Sequence, residues 1–269
     1  MNKLKDDLEN LNIFPGDNLY LRAGLRNLGL NSDQIIPEFI DKLIDYLEDG
    51  TILAPAFTSD YLFWKKDFPP FNESSKSISG ALSNILLGHK FRERSYHPTH
   101  SFVAIGKNAK ELLKNHNLSS SCFEPIRNLM EFEGKMLLVG CLEESPGFSS
   151  VHLAQFDLNL SQKHFLKYLY RFKDIDNNIK IMKERPGCSL NFDRFYKDYI
   201  NNDNFNYGKI LSAQAICVRA KEAYEIEYAI LAKDPKYTVC NDSDCVSCNS
   251  RFYNLQGFPK MLLRKVFNF

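Results

Sequence analysis

Lys135-Met136-Leu137-Leu138-Val139-Gly140-Cys141-Leu142-Glu143-Glu144-Ser145-Pro146-Gly147-Phe148-Ser149-Ser150-Val151-His152-Leu153-Ala154-Gln155 is the stretch whose reading decides the fold. Its first residues are apolar without the alternation of a half-exposed strand, as a strand buried on both faces requires. Gly140 ends the run, a turn-rich loop follows, and a helix starts near Ser149. In open α/β sheets ligands bind outside the carboxyl ends of the strands, so this loop is where a site is sought.

The same texture continues on either side. Upstream, Asn18 to Arg22 reads as a short strand after the Pro15-Gly16-Asp17 turn. Ile36, Phe39, Ile40, Leu43, Ile44 and Leu47 recur at helical intervals within Ile35 to Leu47, and Asp49-Gly50 stops that helix before a buried strand, Thr51 to Pro55. Thr58 to Ser77 is an irregular loop rich in Pro and aromatic residues. Ile78 to Leu87 is a helix, Phe102 to Gly106 a strand, and Asn108 to Lys114 and Ile126 to Phe132 are further helices. Downstream, Phe165 to Phe172 and Ile179 to Lys183 flank the polar turn Asp174 to Asn178, an antiparallel hairpin. A helix near Phe192 to Ile200, a strand at Lys209 to Val218 and a cysteine-rich tail complete the pattern. This alternation predicts an α/β fold, layered α/β/α, with a largely parallel central sheet plus an antiparallel C-terminal hairpin region. With no repeat and no linker, residues 1–269 read as a single domain.

The chain has 269 residues, 44% hydrophobic and 25% charged, the balance of a globular protein. A net charge of +1 supplies no field that would gather nucleic acid or an anionic membrane. The apolar run Met136 to Val139 is far too short to cross a bilayer, and the charged start, Met1 to Asp7, lacks a secretory core. The expectation is a cytoplasmic protein that binds neither nucleic acid nor membrane, with self-association as a homodimer left open. Its seven cysteines are then thiols.

Three constellations carry chemistry. Arg92 to Ser101 places Arg92 and Arg94 beside Lys90, a basic patch suited to phosphate oxygens, although from charge alone a solvated helix end is the favoured reading. His97 and His100 have no thiol or carboxylate nearby in sequence, so a loop held by Pro98 explains them better than a metal. In the deciding stretch, Ser149, His152 and Gln155 lie near one helix face, where a neutral imidazole could take a proton from an amine. Taken alone, His152 reads as a core histidine. The third constellation is Cys240, Cys245 and Cys248 in a polar stretch. Three thiols at that spacing suit a tetrahedral structural zinc lacking one ligand, with Cys188 the candidate fourth and Cys217 second to it.

Four segments stand in a recognisable order: Gly16-Asp17-x-Leu19; Ser95-x-His97-Pro98-Thr99-His100-Ser101-Phe102-x-Ala104-Ile105-Gly106; Gly134-Lys135-x-Leu137-Leu138-x-Gly140; and Ser149-x-x-His152-Leu153-Ala154. Over about residues 10 to 160 the chain resembles the aminoglycoside 3-N-acetyltransferase family. The resemblance implies an N-acyltransferase that uses acetyl-coenzyme A. It makes His152 the catalytic base, Ser149 the oxyanion donor and Gln155 the residue behind the base. It sets Arg94, Ser95, His97 and Ser101 against coenzyme A, together with Arg22, Ala23 and Gly24, which replace the family's His-Ser-Ser segment. Residues 1–160 are then the core with the coenzyme and catalytic segments, and 161–269 the acceptor side. Gln155 replaces a family Glu, so either the reaction demands less of the base or another acid, such as Asp157 or Glu144, substitutes. The small-molecule acceptor expected is the amine of a single amino sugar, free or nucleotide-linked in surface-polysaccharide synthesis. An aminoglycoside acetyltransferase in the strict sense, or a non-catalytic coenzyme A-binding scaffold that keeps the fold, are the alternatives.

Overall fold

Residues 19–21 and 136–139 are uniformly apolar because both of their faces are covered. Tyr20, Met136 and Leu138 pack into one core, and Leu19, Leu21, Leu137 and Val139 into a second on the opposite face. The computed structural model describes residues 2–29, 35–58, 70–174, 176–185 and 187–267. In chain order the elements are α1 (Asn2–Asn10), β1 (Asn18–Ala23), α2 (Ile35–Leu47), β2 (Thr51–Pro55), α3 (Ala81–Gly88), β3 (Glu93–Arg94), β4 (Phe102–Gly106), α4 (Ala109–Leu113), α5 (Glu124–Glu131), β5 (Lys135–Val139), α6 (Ser150–Asp157), β6 (Tyr168–Lys173), β7 (Ile179–Glu184), α7 (Tyr196–Asn201), β8 (Asn206–Ile210), β9 (Ala213–Arg219), α8 (Ala220–Lys233), α9 (Val246–Asn249) and α10 (Phe258–Phe267).

The central sheet runs β3-β4-β2-β1-β5-β9-β8. β1 pairs parallel with β2 and with β5, while β4 and β9 run against their neighbours. The other five strands share one direction, which is the largely parallel sheet expected, with its parallel ladders confined to the centre. α1, α2 and α3 contribute to the core on one face; α4, α5, α6 and α8 contribute to the other. The separate hairpin β6–β7 is antiparallel, with Tyr168 opposite Glu184, as its polar turn predicted.

Three expectations change. The strand drawn over Lys209 to Val218 is two, β8 and β9, reversing at Leu211-Ser212 with Ile210 opposite Ala213. Leu211 adopts φ +55°, and its amide donates to Asp7 Oδ2 at 2.8 Å, so a contact from α1 helps hold a turn that has no Gly or Asn. The tail after Val218 opens with α8, a 14-residue helix absent from the periodicity reading. The core drawn at 1–160 is therefore completed by β8, β9 and α8. The middle of the Thr58–Ser77 loop, residues 59–69, lies outside the described residues. Among the described residues, no helix is long and apolar enough to cross a membrane.

Candidate active site

β1 and β5 end side by side. Gly24 donates its amide to Val139 O at 2.8 Å, and a Cβ on Gly24 would lie 2.3 Å from Gly140 O. Only glycine allows the two strand ends to meet this closely. The loop that leaves β5 is then held from β1: Arg22 Nη1 donates to Gly147 O and Nη2 to Ser145 O, each at 3.0 Å. That loop delivers Ser149 to the start of α6, where its Oγ lies 2.7 Å from the buried Tyr20 hydroxyl.

One turn into α6, His152 is clamped between aromatic rings. It stacks on Phe123 at 4.9 Å and meets Phe192 edge-on at 4.8 Å. Its Nδ1 lies 3.3 Å from Gln155 Oε1, and Gln155 Nε2 donates to Thr238 Oγ1 at 2.9 Å. With Thr238 engaging the amide nitrogen, Gln155 offers its oxygen to the ring. The imidazole proton then sits on Nδ1 and the lone pair on Nε2. Burial drops the His152 pKa to about 3; the Gln155 hydrogen bond opposes this, and the charges of Arg251 and Arg22 add to it. The ring is neutral at physiological pH. Gly187 sits in front of it, and a Cβ there would come within 4.0 Å of Nε2.

Neither substitute acid reaches the ring. Asp157 accepts from Arg127 Nη2 at 2.7 Å and from the Tyr224 hydroxyl at 2.5 Å, and Glu144 is exposed in the loop. Gln155 is the group behind the His152 ring.

Two cavities meet at His152. One, of about 190 Å³, is lined by Tyr20, Arg22, Phe57, Ser149 and Phe192. The other, of about 200 Å³, is lined by residues of β7 and of the loops before α5 and around α9. Phe123 and His152 belong to both walls. A smaller depression of about 90 Å³ contains Ala23 and shares Arg22, Pro55, Ser79 and Ser145 with the Ser149 cavity. The two are therefore neighbours, one at the end of β1 and the other at Ser149.

The other residues set against coenzyme A are engaged by the protein itself. Arg94 donates through Nε to Ser101 Oγ, through Nη1 to Glu73 O and Ser75 O, and through Nη2 to Ala56 O. Ser101 Oγ donates to Ala56 O. Ser95 Oγ accepts the Phe102 amide at 2.8 Å and lies 2.8 Å from His116 Nδ1. These contacts brace the Pro98 loop against β2 and β4, which leaves little of Arg94 for a phosphate. His97 is also buried, and its Nδ1 accepts the His100 amide at 3.1 Å. That puts the ring proton on Nε2, facing Cys122 Sγ at 3.7 Å. His97, His100 and Cys122 hold ligand atoms within 4.8 Å of one another, yet a ring protonated on the facing nitrogen has no lone pair for a metal.

The cysteines behave differently. Cys188, from the segment after β7, joins Cys240, Cys245 and Cys248, and the four sulfurs lie within 4.8 Å of one another. Cys217 is buried in β9, in the second core of the sheet.

Tyr20, Thr238, Phe123, Phe192 and Gly187 were not singled out in the sequence. Only Tyr20 left a trace, a hydroxyl inside an apolar strand that needs a partner once buried.

A family model described as aminoglycoside 3-N-acetyltransferase matches residues 21–232. The chain is 24% identical over 196 residues to aminoglycoside N(3)-acetyltransferase III of Pseudomonas aeruginosa, covering 70% of this chain and 68% of that protein. Among solved structures it is similar to a variant of AAC(3)-IVa in complex with a gentamicin. There the TM-score is 0.79 at 19% identity, over 94% of this chain and 96% of the other. It is also similar to AAC-IIIb in its binary complex with CoASH, with TM-score 0.74 at 23% identity over 86% and 96%. The chain belongs to the aminoglycoside 3-N-acetyltransferase family, whose chemistry is N-acyl transfer from acetyl-coenzyme A.

Proposed function

We propose that this enzyme acetylates the amine of a single amino sugar, with His152 as general base and Ser149 as oxyanion donor. The observation that carries the reading is the His152 ring standing in the shared wall of two cavities, neutral, with its free nitrogen directed by Gln155 and Thr238. The thioester approaches past Ala23 and Arg22 to Ser149, and the amine enters from the β7 side. As the amine nitrogen attacks the carbonyl carbon, Nε2 takes its proton. Ser149 Oγ–H donates to the tetrahedral oxygen while Tyr20 orients that hydroxyl. Collapse expels the coenzyme thiolate, which recovers the proton from the imidazolium. Holding both reactants against one base supplies much of the rate, because a neutral amine is already a competent nucleophile.

The acetyl-coenzyme A supply and the free thiols agree with a cytoplasmic location. We also read Cys188, Cys240, Cys245 and Cys248 as a closed structural zinc site. Four thiolates at 2.3 Å from a tetrahedral ion lie roughly 3.8 Å apart, which this cluster accommodates. Such an ion would cross-link the segment after β7 to the α9 region.

The test is isothermal titration with coenzyme A together with an acceptor screen that follows thiol release. His152→Ala is expected to bind coenzyme A normally and lose about 10²- to 10⁴-fold in kcat. Full activity in that variant would sink the mechanism, and absence of coenzyme A binding by the native chain would favour a scaffold.

A further inference from the structure

The cavity on the β7 side of His152 is dominated by positive charge. Lys183, Arg185 and Arg251 line it, against one carboxylate, Glu184. Glu184 is already committed: Oε1 accepts the Arg185 amide at 2.8 Å and Oε2 accepts the Cys122 thiol at 3.0 Å. Arg185 Nε is buried and has no hydrogen-bond partner among the described residues. Arg251 is almost wholly buried, and its Nε donates to the neutral ring of His164 at Nε2, 3.0 Å away. The four histidines that line the cavity, His97, His100, His152 and His164, all have lowered pKa values, chiefly through burial. They are neutral, so the charge of the cavity is that of Lys183, Arg185, Arg251 and Glu184.

A polycationic acceptor would enter this chamber against its field and leave Arg185 Nε without a partner. Burying an unpaired guanidinium donor costs free energy that a ligand oxygen could recover. The volume, about 200 Å³, also falls below the roughly 300–1,000 Å³ of sites for drug-sized ligands. It suits one sugar ring better than three.

We propose that the acceptor is a small amine bearing an anionic group, a phosphate or a carboxylate, which Arg185 and Arg251 hold while its amine faces His152. This rests on the acyl-transfer reading above and specifies its substrate class. Lys183, exposed at the rim, adds attraction on entry.

Steady-state thiol release from acetyl-coenzyme A tests it with glucosamine, glucosamine 1-phosphate, glucosamine 6-phosphate, glucosaminuronic acid and gentamicin. At least one anionic acceptor is expected to exceed glucosamine in kcat/KM by about tenfold. The ratio should fall toward one in Arg185→Gln and in rising salt. Comparing the phosphates with the uronate identifies the anion. Inorganic phosphate should compete with the preferred acceptor, and Arg185→Gln should weaken that inhibition. If glucosamine or gentamicin is acetylated as well as every anionic amine, this inference is overturned while acyl transfer stands. If none is acetylated although coenzyme A binds, both readings fall.

Discussion

Gln155 gives the His152 ring a direction without giving it a counter-charge. A carboxylate at that position would stabilise imidazolium; the amide only orients. With the pKa held at about 3, against 6.5 for an ordinary histidine, the ring is unprotonated throughout the working range, as the proposed base must be. kcat/KM should therefore rise with pH as the acceptor amine loses its proton, with no acid limb near 6.5. A limb at that pH in the native enzyme, absent from His152→Ala, would contradict this. Gln155→Glu should raise the pKa of the ring and increase kcat several-fold at neutral pH, with the acid limb moving upward. Unchanged kcat and an unchanged profile would show that the residue behind the base does not tune it. The triplet Ser149, His152 and Gln155 was legible because residues three apart on a helix lie near one face. Thr238 and Tyr20, which orient Gln155 and Ser149, lie 83 and 129 residues from their partners, and no local pattern encodes a contact at that separation.

At the scale of elements, α8 shows why periodicity can fail. Its buried positions are Ala220, Ala223, Glu227 and Leu231, so the face that packs on the sheet presents little apolar bulk to a pattern search. Glu227 is fully buried, accepts from Ser150 at 2.7 Å and from Tyr199, and so ties α8 to the first turn of α6. Burial pushes its pKa to about 8, above the 4.5 of an ordinary glutamate. The folded protein keeps that proton where the unfolded chain releases it. Glu227 therefore costs nothing below about pH 4.5, and its destabilisation grows until it is complete above about pH 8. Thermal melts should show Glu227→Gln gaining stability over the native protein as pH rises from 5 to 8, by up to about 3.5 kcal/mol. Parallel melting curves across that range would mean that Glu227 is ionised in the fold. The β8–β9 turn belongs to this scale as well: Leu211 at positive φ is supported by Asp7, a residue of the opposite terminus.

Across the whole molecule, the cysteine cluster bears on the catalytic groups through chain connectivity. Cys188 follows Gly187, which faces His152; Cys240 lies two residues after Thr238; Cys248 lies three before Arg251. A zinc ion there would fix Thr238, which holds Gln155, and the cavity cation Arg251 together. Elemental analysis should find close to one zinc per chain, and Cys245→Ser or strong chelation should lower both Tm and kcat. Zinc content near zero with full activity would dismiss the site. By itself the sequence determined the layered α/β order, the Ser149–His152–Gln155 face of α6 and the three-thiol motif, because strand alternation, helical spacing and short cysteine spacing are local properties. Only the tertiary structure decided that Lys209–Val218 is two strands, that Arg94 and Ser101 brace a loop, and that His152 divides two cavities, one of them cationic. Those outcomes depend on which distant groups satisfy a buried donor or share a cavity wall, and that is set when the chain packs.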